Sequence, residues 1–232
     1  MPEDRPAVLM DVDGTLVDTN WFHTVSWWRA FRDAGEDVSM SKIHPLIGMG
    51  APGLVERVLG RPDEKVVDGH ADQYKPFLDE VRPFPRARDL LEELRRRGVL
   101  VVLATSSDER DVPRLQEIIG GSVDGVVCKS DVERGKPAPD IFGAALDRFD
   151  LEPGRTLVVG DTVWDVEAAA ELGLGVVAVL TGGVTRDQLT DAGAVAVYED
   201  VADLLDNLDE SPLGELLRSS PSAGSTRAGR GS

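Results

Sequence analysis

The stretch Ala7-Val8-Leu9-Met10-Asp11-Val12-Asp13-Gly14-Thr15 sets four apolar residues ahead of two carboxylates and a glycine. A run of that kind, with no polar alternation, suits a strand covered on both faces, and so predicts a parallel sheet between layers of helix. Asp11 and Asp13 then fall at the strand's carboxyl end, where open α/β sheets bind their ligands. An Asp after a strand also caps ordinary turns, and Gly14 supplies a bend. Two aspartates flanking one residue make the turn the weaker explanation.

Further apolar runs of strand length lie at Val99 to Ala104, Val123 to Val127, Thr156 to Gly160, Val176 to Leu180 and Ala194 to Tyr198. Helical patterns alternate with them. Arg86 to Arg97 places Ala87, Leu90, Leu91 and Leu94 on one face and ends at Gly98, and Pro139 to Phe149 and Val166 to Leu172 are similar. Such alternation predicts an α/β fold, a doubly wound parallel sheet with a Rossmann-like core. From about Thr19 to Pro83 no strand pattern occurs, so an inserted helical subdomain is expected there. Trp21, Phe22, Val25, Trp28 and Phe31 of its first helix form a broad apolar face, read as subdomain core. The expected organisation is a core from 1–18 and 84–210, an insert over 19–83, and a disordered tail over 211–232, where Ser, Gly and Arg replace the apolar period. No internal repeat is present.

The chain has 232 residues, 42 acidic and 25 basic, with a net charge of -17. That charge repels phosphate backbones and anionic lipid, which argues against nucleic acid and membrane as partners. A phosphorylated substrate then requires local cations at its site. The single cysteine, Cys128, rules out an internal disulfide framework and fits a reducing compartment. Residues 1–6 are charged and the apolar run after them is short, so neither a signal peptide nor a membrane span is expected, and the cytoplasm is the expected location.

Two other predicted strands also end in polar groups: Thr105-Ser106-Ser107 follows one, and Asp161 and Asp165 follow another. Taken singly, Thr105 and Asp161 suit helix N-caps. Together these residues put up to four carboxylates at one sheet edge, a density that needs a hard cation, and an oxygen-only ligand set favours magnesium. Lys136 lies in Gly135-Lys136-Pro137-Ala138-Pro139-Asp140, where two prolines stiffen the backbone. A lone lysine is usually a solvated charge. In so acidic a chain, one held in a stiff loop is better explained as a fixed counter-charge for a carboxylate or phosphate.

The ordered set Asp11-Val-Asp13-Gly-Thr15, Thr105 or Ser106, Gly135-Lys136-Pro137 and Gly160-Asp161-Thr-Val-Trp-Asp165 resembles the four motifs of the haloacid dehalogenase superfamily. The resemblance runs from Ala7 to about Asp206, and the insert after the first motif is similar to the cap domain of the phosphoglycolate phosphatase and β-phosphoglucomutase branch. It implies a magnesium-dependent phosphatase of a small phosphorylated metabolite, with Asp11 as nucleophile forming an aspartyl-phosphate. It further implies Asp13 as acid and base, its carbonyl joining Asp11, Asp161 and Asp165 around Mg2+. Thr105 and Ser106 would bind the phosphoryl group, and Lys136 would neutralise charge. Family dehalogenases lack the second aspartate of the first motif, and Asp13 argues against that activity. Two alternatives remain: a phosphomutase using the same aspartates, and a non-catalytic phosphate-binding module.

Gly48-Met49-Gly50-Ala51-Pro52-Gly53 matches a dinucleotide fingerprint letter for letter, but no strand pattern precedes it, so a nicotinamide site is rejected. The resemblance implies that this is the cap loop facing substrate, with Gly48 to Ala51 contributing to specificity, and a plain helix-connecting turn reads equally well. His23 reads equally as a packing or hinge residue and as a substrate contact. His44, His70 and Lys75 read as solvated surface. The identity of the substrate and the oligomeric state are not legible.

Overall fold

The structure, a computed structural model, describes residues 5–218. Its elements in chain order are β1 (Ala7–Met10), α1 (Asn20–Asp33), α2 (Met40–Ile43), α3 (Ala51–Leu59), α4 (Glu64–Tyr74), α5 (Ala87–Arg96), β2 (Leu100–Ala104), α6 (Val112–Ile119), β3 (Gly125–Val127), α7 (Asp140–Phe149), β4 (Thr156–Gly160), α8 (Val163–Ala170), β5 (Gly175–Val179), α9 (Arg186–Ala192), β6 (Ala196–Tyr198), α10 (Val201–Asp206) and α11 (Pro212–Arg218), with short 3-10 turns between some of them.

All six strands are parallel, in the order β3-β2-β1-β4-β5-β6. The chain winds outward in one direction from β1 to β3 and in the other from β4 to β6, so the switch point lies between β1 and β4, where a crevice opens at the carboxyl ends. Register aligns those ends: Met10 pairs with Leu103 of β2 and with Val159 of β4. The residues following β1, β2 and β4 are thereby brought to one level.

Strand side chains alternate between two cores, as the two-residue period requires. Val8, Met10, Val101, Leu103, Val159 and Val177 pack with Leu90, Leu91 and Leu94 of α5 and with Leu204 of α10. Leu9, Val102, Val158 and Val176 face the opposite way, onto Ile141, Phe142 and Ala145 of α7 and Ala168 and Ala169 of α8. Each large aliphatic side chain so buried contributes about 1.5–3 kcal/mol, and β1, apolar on both faces, holds both layers.

Between β1 and β2 there are helices and no strand of the sheet. Trp27, Phe31, Ile43, Leu54, Val55 and Val66 form a third cluster there, drawn wholly from residues 27–67. Its two crossings to the sheet run side by side, with Val17 bridged to Pro83 and Asp18 N–H donating to Arg82 O. The first helix of this region differs in detail from the sequence reading: Trp27, Ala30 and Phe31 are buried, whereas Trp21 is 62% exposed.

The expected tail is corrected at its start. Pro212–Arg218 is helical, with Leu213 and Leu216 buried and Leu213 part of the sheet-side core. The i, i+3, i+4 spacing of Leu213, Leu216 and Leu217 supplies an apolar face, and Ser211 Oγ accepts from Gly214 N–H at 3.2 Å at the helix start. Residues 219–232 of that expectation lie outside the described residues.

Candidate active site

Asp11 leaves β1 with its N–H donated to Val159 O at 2.9 Å, the last rung before the sheet opens. Its side chain turns into a buried group with Asp161, after β4, and Asp165, in the first turn of α8; one oxygen from each lies within 4.8 Å of the others. Lys136 Nζ stands 2.5 Å from Asp11 Oδ1 and 2.6 Å from Asp165 Oδ1. The Asp165 contact meets ion-pair distance without the alignment of a hydrogen bond, and Asp165 Oδ1 has no hydrogen-bond partner among the described residues. The other oxygen of Asp165 accepts from Thr162 N–H at 3.1 Å and from Thr162 Oγ1 at 2.6 Å, closing the capping box of α8. Asp161 accepts from Thr15 Oγ1 and from Asn20 Nδ2, each at 2.9 Å.

Three carboxylates facing one ammonium leave two negative charges unbalanced when all are ionised. The electrostatics register that imbalance. Burial pushes the Asp11 carboxyl well above the usual range; Lys136 opposes the shift, and Asp165 and Asp161 add to it. Burial, and then the charge of Asp165, push Asp161 up to about 7, against its hydrogen bonds from Asn20 and Thr15. A buried charge shortfall of two, ringed by hard oxygen donors, fits a divalent magnesium ion.

Asp13 lies two residues on and in a contrasting environment. Its Oδ1 accepts from Thr19 Oγ1 at 2.8 Å and lies 3.2 Å from His23 Nε2, while its Oδ2 accepts from Ser107 Oγ at 2.8 Å and from Thr105 Oγ1 at 3.4 Å. Burial would raise its pKa, but the hydrogen bond and charge of His23, with the hydroxyls of Ser107 and Thr19, outweigh it and hold the carboxyl down at about 2. Gly14, at φ +84°, makes the turn directly after Asp13 possible; a Cβ there would run into Asp161 and Asn20.

A cavity of about 670 Å³ opens over this edge. Asp11, Asp13, Ser106, Ser107 and Lys136 line its floor, and Trp27, Met49, Leu54 and Tyr74 line the helical side. Gly50 N–H donates to Lys136 O at 2.9 Å, and Gly50 packs against Gly135 so tightly that a Cβ on Gly50 would lie 2.7 Å from Gly135 Cα. The 48–53 stretch therefore meets the lysine loop, and no strand precedes it. Thr105 is buried but does not line the cavity.

The four-motif pattern has counterparts among known proteins. The family pattern described as haloacid dehalogenase-like hydrolase matches residues 6–173. The chain belongs to that family. It is 30% identical over 232 residues to the phosphoglycolate phosphatase of Rhodospirillum rubrum, covering 93% of this chain and 96% of that one. It is 28% identical to the phosphorylated carbohydrates phosphatase of Thermotoga maritima, over 83% and 94% of the two chains. Among solved structures, a hydrolase from Pseudomonas syringae superposes with a TM-score of 0.84 at 30% identity, covering 89% of this chain and 99% of that one. This haloacid dehalogenase-like hydrolase gathers Asp11, Lys136, Asp161 and Asp165 into one buried group, with Asp13 beside them at the same sheet edge.

Several site residues escape the sequence reading. Asn20 and Thr15 hold Asp161; Thr15 sits in a motif without a role, and nothing in the local pattern marks Asn20. Ser107, not Ser106, makes the short hydrogen bond to Asp13. His70 is no solvated surface residue: its ring stacks on Trp27 at 4.0 Å and its Nε2 lies 3.2 Å from His23 Nδ1. His44 is likewise half-buried, stacked on Trp21 at 4.2 Å and set against Gly183, and burial lowers its pKa. Lys75 is exposed and paired with Asp72.

Proposed function

We propose that this hydrolase is a magnesium-dependent phosphatase that cleaves a small phosphorylated metabolite through an aspartyl-phosphate on Asp11. The observation that carries the reading is the pairing of Asp11, on the cavity floor and bound to Lys136, with Asp13, which faces hydroxyl and imidazole donors two residues away. The names of the relatives, both phosphatases, support it.

In this mechanism Asp11 attacks phosphorus with one carboxylate oxygen while the P–O bond to the alcohol breaks. Lys136 holds Asp11 in place and balances charge on the transferring group. Asp13 gives its proton to the departing alkoxide and later takes one from the water that cleaves the acyl phosphate. Asp13 is ionised in the free protein; a dianionic phosphoryl group arriving beside it raises its proton affinity and loads the acid. Ser106, with Thr105 supporting the loop from beneath, hydrogen-bonds a phosphoryl oxygen. Asp11, Asp161, Asp165 and the Asp13 carbonyl would hold the magnesium ion, which would supply charge neutralisation to the phosphoryl oxygens. The helices over 19–83 act as the cap that shields the site from water. The single cysteine supports a reducing, cytoplasmic location.

Hydrolysis is favoured over phosphoryl transfer between sugar positions. A mutase needs a cap cation for the second phosphate. Arg57 instead lies over the Trp164 ring at 5.3 Å and is not on the cavity wall, and Lys75, the one Lys or Arg of residues 19–83 on that wall, has its charge offset by Asp72. The test is phosphate release across a panel of phosphorylated metabolites with and without magnesium. Steady, metal-dependent release from at least one monoester is expected. Isomerisation of hexose phosphates faster than phosphate release, stimulated by a bisphosphate, overturns the hydrolase reading.

A further inference from the structure

Four rings in the helical insert form two stacked pairs beside Asp13. The imidazole of His23 lies on Tyr74 at 4.1 Å and 14°, and that of His70 lies on Trp27 at 4.0 Å and 15°. Stacking fixes the plane of each imidazole and leaves its edge nitrogens to make the in-plane contacts. Those edges meet: His23 Nδ1 and His70 Nε2 are 3.2 Å apart, and the remaining nitrogen of His23, Nε2, is 3.2 Å from Asp13 Oδ1. Two imidazole nitrogens that close repel through their lone pairs unless one carries a hydrogen.

One end of the chain is fixed by its surroundings. Thr19 and Ser107 both donate to the Asp13 carboxylate, which is therefore the acceptor on all sides, so His23 Nε2 carries the hydrogen it offers to Oδ1. The other His23 nitrogen, Nδ1, is left to His70 Nε2, and the two rings and the carboxylate form one run of in-plane contacts. Burial, and after it the charges of His23 and Lys129, hold the His70 pKa well below the usual imidazole range, in keeping with its half-buried place.

We propose that His70 is a positioning residue: its Nε2 engages His23 Nδ1, fixes the His23 ring with the Nε2–H aimed at Asp13, and so holds the Asp13 carboxylate for proton transfer to the leaving group. The inference rests on the role proposed for Asp13, and it adds to that role a residue of α4, 57 positions away in sequence. His70 does not touch the reacting atoms. It acts only through the orientation of its neighbour.

The direct measurement is the nitrogen-15 NMR signature of the His23 ring in the full-length, unmodified protein. A ring that carries a hydrogen at Nε2, with Nδ1 shifted by a hydrogen bond, is expected. A ring without a hydrogen at Nε2, or an Nδ1 at the position of a nitrogen with no hydrogen bond, overturns the proposal, and this arm needs neither a variant nor an active enzyme. The kinetic arm uses His70→Phe, which keeps a ring against Trp27 without a polar edge, and His70→Gln, which restores an amide near the Nε2 position. A leaving group that departs without protonation bypasses the acid step of Asp13, so the comparison is made on alcohol release in the first turnover, before water attacks the acyl phosphate. In His70→Phe, that rate for a simple alkyl phosphate should fall about tenfold or more while p-nitrophenol is released at nearly the native rate, and His70→Gln should recover most of the loss. Equal loss on both esters, or no loss on either, overturns the positioning role. If the native protein releases phosphate from no ester, the phosphatase reading falls instead, and the nitrogen-15 signature still decides the role of His70.

Discussion

Asp11 and Asp13 are separated by one residue, and their surroundings drive them in opposite directions. Around Asp11 the chain supplies carboxylates, one ammonium and little else, so burial and like charge raise its proton affinity. Around Asp13 it supplies two hydroxyls with short bonds, a third at longer range and an imidazole, and the carboxyl is held down at about 2. The first group is incomplete as a set of charges; the second is complete as a set of hydrogen bonds. Burial is common to both and does not distinguish them. The partners do, and they arrive from different places: those of Asp11 from the far strand ends and the lysine loop, those of Asp13 from the β2 loop and the first turns of the insert.

The most severe challenge to this contrast is substitution with asparagine at each position. Asp11→Asn should reduce kcat by about 10⁴-fold or more, the scale of losing a nucleophile, with the fold intact by circular dichroism. Asp13→Asn should cost about 10²–10⁴-fold, the scale of acid–base catalysis, and in the first turnover, before water attacks, alcohol release should be spared more for p-nitrophenyl phosphate than for an alkyl phosphate. Equal losses with no dependence on the leaving group would erase the difference between the two aspartates.

The charge shortfall predicts a pH signature in the metal-free protein. The Asp161 carboxyl has a folded pKa of about 7 against an ordinary 3.8, and Asp11 is shifted the same way. Between those values the folded state binds more protons than the unfolded chain. Stability is therefore fully present below about pH 3.8, as far as these groups are concerned, and is lost as pH rises through about 7. After chelation, Tm should drop between pH 5 and pH 8, by about 2–4 °C for each kcal/mol lost. Magnesium should restore more Tm at pH 8 than at pH 5. A flat metal-free profile, or an equal magnesium effect at both values, would mean that the cluster is not short of positive charge.

The smallest effect on catalysis is expected away from both aspartates. Leu213→Ala, in α11, should cost about 2–5 kcal/mol of stability, as large-to-small core substitutions do, with kcat unchanged on the protein that remains folded. A fall in kcat would show that the two environments are set by the whole core and not by their immediate partners.

The fold is legible in the sequence because its signals are periodic and local. Six apolar runs mark six strands to within two residues at each end, and the breaks after β1, β2 and β4 mark the functional edge. Asp161 and Asp165 are legible for the same reason, as polar residues directly after an apolar run. Thr15, Asn20 and Ser107 carry no such mark, because a hydroxyl or amide near a strand end satisfies many local roles, and only the aligned register of β1, β2 and β4 brings these three to the carboxylates. His70 reads as surface because the positions around it in α4, Gly69, Ala71, Asp72 and Gln73, carry no broad apolar stripe. Its place is fixed by Trp27 and His23 of another helix, a tertiary fact with no period in the sequence. Helix α11 escapes for a different reason: three leucines between Ser211 and Arg218 are outweighed by the Ser, Gly and Arg composition of residues 219–232.

Where Gly50 meets Gly135, the cavity wall is backbone against backbone. No side chain stands there to swing aside, so rotamer motion on the nanosecond scale opens nothing along that stretch. Passage at that seam demands displacement of the insert as a body about the paired crossings at Val17 and Pro83, breaking the Gly50 to Lys136 hydrogen bond as it goes. Motions of that kind take microseconds to milliseconds and set the turnover of many enzymes. The bond that would break ends on the backbone of Lys136, whose side chain holds Asp11, so under the proposed function opening at this seam and loosening of that lysine would be one movement.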